Sequence, residues 1–255
     1  MDLGLSGSRA LVGGGSRGLG AAIASALAAE GARVAITSRS PDRLLEHASR
    51  IGGVAIAADL STEEGPLVAV NGAVERLGGL DLLVVNAGGP PPGTFSEVTE
   101  EQWRTAIDGT LFSTLRLIRH ALPALRAGRA PSILVVLSSS VREPIAGLVT
   151  SNVLRPGLTG LIKSLVGEIA PVRINGIAPG RIATDRVASN DELRARSADI
   201  SVEEVQRLEI ARIPLGRYGD PKEVGRVAAF LLSPAASYID GATVAIDGGM
   251  SRSLP

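Results

Sequence analysis

Three stretches of this 255-residue chain hold residue types able to do chemistry together. Gly13-Gly14-Gly15-Ser16-Arg17-Gly18-Leu19-Gly20 places five glycines within eight residues. Glycines permit positive φ and let backbone approach a ligand, and where such a turn opens a helix the free amides and the helix dipole attract a pyrophosphate. Thr37-Ser38-Arg39-Ser40 sets a guanidinium beside small hydroxyls. Ser151 and Arg155 stand four apart, so on a helix they share one face, a hydroxyl beside a permanent cation. The first two stretches suit phosphates; the third suits a polarised oxygen.

The elements that must position them are legible as alternating apolar runs and helical patterns. This rhythm predicts repeated βα units, hence a doubly wound, mainly parallel α/β sheet with helices on both faces. Seven strands are expected at 9–12, 33–37, 54–57, 82–85, 133–137, 172–177 and 242–246. The glycine turn follows the first and Arg39 follows the second. Helix starts are expected at Ser40 before Pro41, Ser61 with Glu64, Thr99 with Gln102, Ser201 with Glu204, and Asp220-Pro221 with Glu223. Apolar stripes mark two later helices, Leu111, Leu115, Ile118, Leu122 and Leu125 on one, Leu154, Leu158, Leu161, Leu165 and Ile169 on the other. Ser151-Asn152 is able to cap the second, since Pro156 prefers a first turn. The charge-rich segment 181–219 breaks the rhythm and is expected to be a mobile lid over one end of the sheet.

Composition narrows the function. A length of 255 residues suits one domain, 1–255. Lys plus Arg balances Asp plus Glu at 26 each, which leaves no basic field for nucleic acid. With no cysteine and 2 histidines, thiolate catalysis is excluded and no metal site is expected. No run approaches the ~18 apolar residues of a membrane span, and a cytoplasmic protein acting on a small molecule is the expectation. An NAD site usually carries an acidic acceptor for the adenosine ribose hydroxyl at the end of the second strand. Here Ser38-Arg39 stands there, and Arg39 with Arg17 offers planar donors to a 2′-phosphate, which favours NADP(H).

Taken in order, the motifs resemble the short-chain dehydrogenase/reductase family. The spacing Gly14, Gly18, Gly20 is that family's turn, with Gly13 where threonine is common. Ala58-Asp59-Leu60, Asn86-Ala87-Gly88, Pro179-Gly180-Arg181-Ile182-Ala183-Thr184 and the tail through Asp247-Gly248-Gly249 complete a match along essentially the whole chain. The resemblance implies a Rossmann-like fold and a cofactor held by Gly14, Ser16, Arg17, Gly18, Leu19, Gly20, Ser38, Arg39, Ala58, Asp59, Leu60, Asn86, Ala87, Gly88, Arg155, Pro179, Gly180, Ile182 and Thr184. It also implies a homo-oligomer, dimer or tetramer, built through the two striped helices and the last strand. Within the family the general look is that of 3-oxoacyl-[acyl-carrier-protein] reductases.

The catalytic places depart from that pattern. The family's serine, the tyrosine thirteen residues on and the lysine four beyond fall on Ser138, Ser151 and Arg155, and its helical asparagine falls on Thr110. Tyrosine beside a cation is a usable acid; a serine hydroxyl hardly ionises and arginine keeps its proton. Ser138 and Ser151 remain able to hydrogen-bond an oxygen, and Arg155 to place positive charge near it. Glu143, beside Arg142, is a candidate for the proton, with Asp185 behind it, whereas Tyr218 and Tyr238 are expected to pack. Three functions follow: an NADP(H)-dependent oxidoreductase acting on a carbonyl or activated alkene, a catalytically impaired NADP-binding protein or subunit, or a lyase or isomerase without net redox.

Overall fold

The computed structural model describes residues 2–86 and 88–253. Alternating element types run through the chain: β1 (Arg9–Gly13), α1 (Gly18–Ala29), β2 (Arg33–Ser38), α2 (Pro41–Arg50), β3 (Val54–Ala57), α3 (Gly65–Leu77), β4 (Leu82–Val85) and α4 (Glu100–Ala106). A π-helical turn, Ile107–Phe112, leads into α5 (Ser113–Arg126) and β5 (Ser132–Val136). Then come a 3-10 turn (Ser139–Val141), α6 (Val149–Ile169), β6 (Arg173–Pro179), α7 (Asp185–Ala198), α8 (Val202–Ala211), α9 (Pro221–Leu232), the 3-10 turn Pro234–Ala236 and β7 (Thr243–Ile246). The seven strands pair in parallel in the order β3-β2-β1-β4-β5-β6-β7, so the expected doubly wound sheet is present. The order reverses between β1 and β4. In such sheets a crevice opens there, at the carboxyl ends of the strands.

Period-two alternation divides the core. Leu11, Leu83 and Val85 face a cluster with α3, α5 and α6, while Ala10, Val12, Leu82 and Val84 face another with α1, α2 and α9. On α5 the buried face is Leu117, Ile118, Ala121 and Leu125; Leu111 and Leu122 only border it. On α6, Leu154, Leu158 and Ile169 are buried as expected, and Ile162 joins them in place of Leu161 and Leu165.

Thr99 and Asp220 form full capping boxes, and the Ser201 hydroxyl accepts from the Glu204 amide. Two expected starts are corrected. Ser61 does not open a helix, because Asp59 Oδ1 accepts from both the amide and the hydroxyl of Ser61 and Thr62 Oγ1 receives the Gly65 amide, so α3 begins at Gly65. Nor do Ser151 and Asn152 cap α6, whose N-cap is Leu148, and Pro156 lies inside the helix rather than in its first turn. That early start is held by tertiary bonds. Thr150 Oγ1 donates to Pro91 O at 2.8 Å, and the Asn152 amide group pairs with both the N–H and the C=O of Ile145 at 2.9 Å each. At Ser40 the helix begins where expected, but its hydroxyl makes no cap bond.

The segment 181–219, expected to be a mobile lid, carries two helices, α7 and α8. Ile182 and Gly219 form a bridge. Beneath it, Arg181 pairs with Asp191 at 2.5 Å and with Glu209 at 3.1 Å, and Arg194 also reaches Glu209. Asp191 and Glu209 are buried, so this network holds α7 against α8 with paired rather than isolated charge. Among the described residues no helix is long and apolar enough to cross a membrane, and no group of three potential metal ligands occurs.

Candidate active site

The glycine turn leaves β1 and enters α1 at the crevice. Gly14 and Gly18 adopt φ of +57° and +55°, the left-handed region that an L side chain resists. Asn86, at the end of β4, donates its amide to Gly13 O at 3.1 Å and so fixes the turn from the neighbouring strand. A Cβ on Gly14 would meet Asn86 at 2.8 Å, so glycine lets the two approach. Arg17 is the N-cap of α1 with no side-chain cap bond, and the first turn carries no acidic residue. The leading amides of α1 thus keep their donors for a ligand, which is the chemistry a diphosphate requires.

The adenosine end is shaped by β2 and β3. Ser38 O accepts from Ala58 N at 3.2 Å, which brings Arg39 toward Asp59. Burial by itself would raise the Asp59 carboxyl; the hydroxyl and amide of Ser61, then the charge of Arg39, outweigh it and leave Asp59 below the usual carboxylate value. Arg39 is exposed, with no carboxylate within ion-pair distance among the described residues. Leu60 lies against Gly13, and the space over Gly88 is open. Ala87 lies outside the described residues. At the far side, Gly180 N donates to Ile246 O at 3.0 Å, and the Thr184 hydroxyl caps α7 by accepting from Val187 N. The Thr184 methyl approaches Gly18, so the turn after β6 closes down on the glycine turn.

Past β5 the polypeptide carries three serines in a row, and the structure separates their tasks. Ser138 Oγ caps the 3-10 turn by accepting from Ser140 N at 3.1 Å; its own O–H remains a donor. Ser140 is buried, and its hydroxyl lies 3.1 Å from that of Ser151. Arg155, one turn further along α6, is 7% exposed and donates to Val136 O at 2.6 Å. Burial lowers its guanidinium to about 10, and the charge of Arg186 adds to the effect. Thr110 is fully buried in the π-helical turn, which packs on α6, and its Oγ1 is without a partner among the described residues.

Arg186 enters as a site residue that sequence reasoning missed. From the first turn of α7 it crosses the crevice and donates to Gly89 O at 3.2 Å and Pro90 O at 2.7 Å. Desolvation, then the charge of Arg17, lowers it. No signal in the spacing selects it, since its anchors lie 97 and 96 residues away.

The proton candidates fare differently. Glu143 is exposed and accepts from the backbone amides of Arg252 and Ser253 at 2.8 and 3.2 Å, which commits it to the C-terminal tail. Asp185 opens α7. Tyr218 donates to Asp191 at 3.0 Å; burial first, and that carboxylate with it, push its phenol up to about 12 against the lowering effect of Arg181. Tyr238, expected to pack, is fully exposed.

With this geometry in view, known proteins can be compared. The family described as enoyl-(acyl carrier protein) reductase matches residues 14–251. The chain is 34% identical over 251 residues to 3-oxoacyl-(acyl-carrier-protein) reductase FabG of Vibrio cholerae, covering 96% of this chain and 98% of that one. Its structure is similar to that of L-sorbose reductase from Gluconobacter frateurii, solved with NADPH and L-sorbose, at TM-score 0.93 and 30% identity with 100% of both chains covered. It is also similar to YwfH, an NADPH-dependent reductase involved in bacilysin biosynthesis, at TM-score 0.92 and 27% identity over 98% and 100% of the two chains. The crevice at the strand-order reversal, the glycine turn and the whole-length matches agree, and the chain belongs to the short-chain dehydrogenase/reductase family as an NAD(P)(H)-dependent oxidoreductase.

Proposed function

We propose that this protein is an NADP(H)-specific reductase that delivers hydride to a carbonyl or activated alkene, 3-oxoacyl thioesters being one substrate class its relatives suggest. The observation that carries this reading is the buried Ser140–Ser151 pair with Arg155 one turn away, at the carboxyl end of β5 and beside a glycine turn with free amides. The glycine turn from Gly14 to Gly20 with Arg17 takes the diphosphate, and Ser38 and Arg39 take the 2′-phosphate. Ala58, Asp59, Leu60, Asn86, Ala87 and Gly88 line the adenosine side and floor, and Pro179, Gly180, Ile182 and Thr184 border the nicotinamide. When bound, the cofactor supplies the hydride. Ser138 and Ser151 orient the substrate oxygen, Ser140 holds Ser151 in place, and Arg155 stabilises negative charge that develops there. With no tyrosine at this place, the proton comes from water, directly or relayed through the hydroxyl pair, each hydroxyl passing one proton on as it takes another up.

The segment 181–219 covers the cleft as a lid, the chain 1–255 acts as one domain, and a homo-oligomer, dimer or tetramer, is part of the reading. The relatives are named as reductases and dehydrogenases, which lends nothing to an impaired binding protein. Purified protein incubated with NADPH and a panel of ketones, 3-oxoacyl thioesters and enones is expected to oxidise NADPH with at least one class. Tight NADPH binding without turnover across the panel would replace this reading with that of a binding protein.

A further inference from the structure

Four guanidiniums border the crevice. Arg17 stands at the diphosphate turn and Arg39 at the adenosine end, and two further guanidiniums are anchored past them, Arg155 of α6 on β5 and Arg186 of α7 on the loop after β4. Neither has a carboxylate within ion-pair distance among the described residues. Elsewhere in the chain the partly buried arginines Arg9 and Arg181 sit on buried carboxylates, whereas Arg173, held by four backbone carbonyls, also lacks an ion-paired counterion among the described residues. Carbonyl oxygens serve in its place: Val136 O for Arg155, Gly89 O and Pro90 O for Arg186.

The position of Arg186 follows from the loop it grips. That loop is bonded from the opposite side by Thr150, which donates to Pro91 O, and Thr150 is the immediate neighbour of Ser151. Gly93 bridges Leu148 at the same junction. The guanidinium of Arg186 therefore bears on the backbone that abuts the Ser140–Ser151 pair. Its repulsion acts on Arg155 on one side and Arg17 acts on it from the other, which sets it between the diphosphate turn and the reacting end.

We propose that Arg186, with Arg155 behind it, forms a subsite for a carboxylate, so that the substrate is a carbonyl compound or enone carrying an acid group close to the reacting carbon. Resting on the reductase reading above, this deepens it by naming the substrate class. A planar guanidinium matches a carboxylate with two parallel hydrogen bonds, and an anion there relieves the repulsion that the uncompensated cations otherwise bear. Because Arg186 projects from the lid segment, the acid group also links α7 to the loop after β4 once bound.

The test uses the wild type, Arg186→Met and Arg186→Lys with 2-oxo and 4-oxo acids, each paired with its methyl ester. Two readouts are taken: NADPH oxidation, and binding to the enzyme–NADPH complex followed by nicotinamide fluorescence. The wild type is expected to prefer an acid to its ester by about tenfold or more, as a charge-assisted pair at a partly solvated guanidinium implies. Arg186→Met should erase that preference while the Kd for NADPH stays within about twofold of wild type, with Arg186→Lys in between. Equal use of acids and esters, or binding of neither, overturns the proposal. So does an NADPH affinity that falls as far as acid affinity does in Arg186→Met, since Arg186 would then serve the diphosphate. Reduction of neutral ketones alone sinks the subsite and leaves the reductase reading intact; acid binding without any turnover keeps the subsite and sinks the reductase reading.

Discussion

The hydroxyls of Ser140 and Ser151 lie 3.1 Å apart, buried between the 3-10 turn after β5 and the first turn of α6. A serine hydroxyl is both donor and acceptor, so each can pass a hydrogen bond on to a bound oxygen while the other holds its orientation. Loss of either member should cost the same function. Ser140→Ala and Ser151→Ala are each expected to lower kcat about tenfold, roughly one hydrogen bond's worth, and the double variant should fall little further. Multiplying effects in steady-state kinetics would show that the two hydroxyls act apart.

Arg155 trades stability for its position. Its guanidinium is lowered to about 10 in the folded protein, below its ordinary value, mainly by burial. The unfolded chain therefore holds this proton more tightly, so the charged side chain costs stability at every pH below about 10, and the cost fades as pH rises from there toward the ordinary arginine value. Arg155→Met loses the bond to Val136 O but sheds the buried charge. It is expected to be about 1 kcal/mol more stable at pH 7 and much less active. Paired thermal melts and assays check this; a lower Tm would contradict it.

Asp81 works in the other direction. It is buried, accepts from the amide and guanidinium of Arg9 and from Arg129 N, and its carboxyl is held at about 2 because these bonds outweigh the raising effect of burial. Its contribution is complete above the ordinary carboxylate value of 3.8 and drains away as pH falls from there toward about 2. Asp81→Asn should cost about 3 kcal/mol at pH 7 and flatten the acid limb of stability between those values. Denaturant titrations at pH 7 and pH 3 measure both.

Arg39 should decide between the two nicotinamide coenzymes. Arg39→Ala is expected to weaken NADPH about tenfold or more while leaving NADH nearly unchanged, since only the former carries the 2′-phosphate. Calorimetric titration with each coenzyme gives the ratio directly, and an unaltered ratio would remove Arg39 from the site.

Asp191 joins α7 to Arg181 and Tyr218. Asp191→Asn leaves Arg181 short of a charge, and the α7–α8 segment should open more often. Expected are faster tryptic cleavage within 185–212 and a KM raised several-fold with less change in kcat. A proteolysis rate equal to that of wild type would mean the network does not hold this segment.

The sheet could be read ahead of the structure because its causes are local. Runs such as Leu82-Leu83-Val84-Val85 announce buried parallel strands, and all seven appear within two residues of the expected bounds. The glycine turn and the lack of an acid at Ser38-Arg39 were equally legible, since backbone freedom and charge sign are properties of the residues themselves.

What the sequence determined alone was therefore the succession of strands and the residue types at the glycine turn and at Ser38-Arg39. What tertiary structure decided was which groups meet. The motif register selects Ser138 among three adjacent serines, and only the 3-10 turn aims its neighbour Ser140 at Ser151. Pro156 argued for a later helix start until Thr150–Pro91 and Asn152–Ile145 bonds secured an earlier one. Arg186 gained its place by reaching across the crevice to Gly89 and Pro90. Periodicity and propensity report on neighbours along the chain, whereas these pairings form between elements that the sheet brings together, and their energy is defined only once that sheet exists.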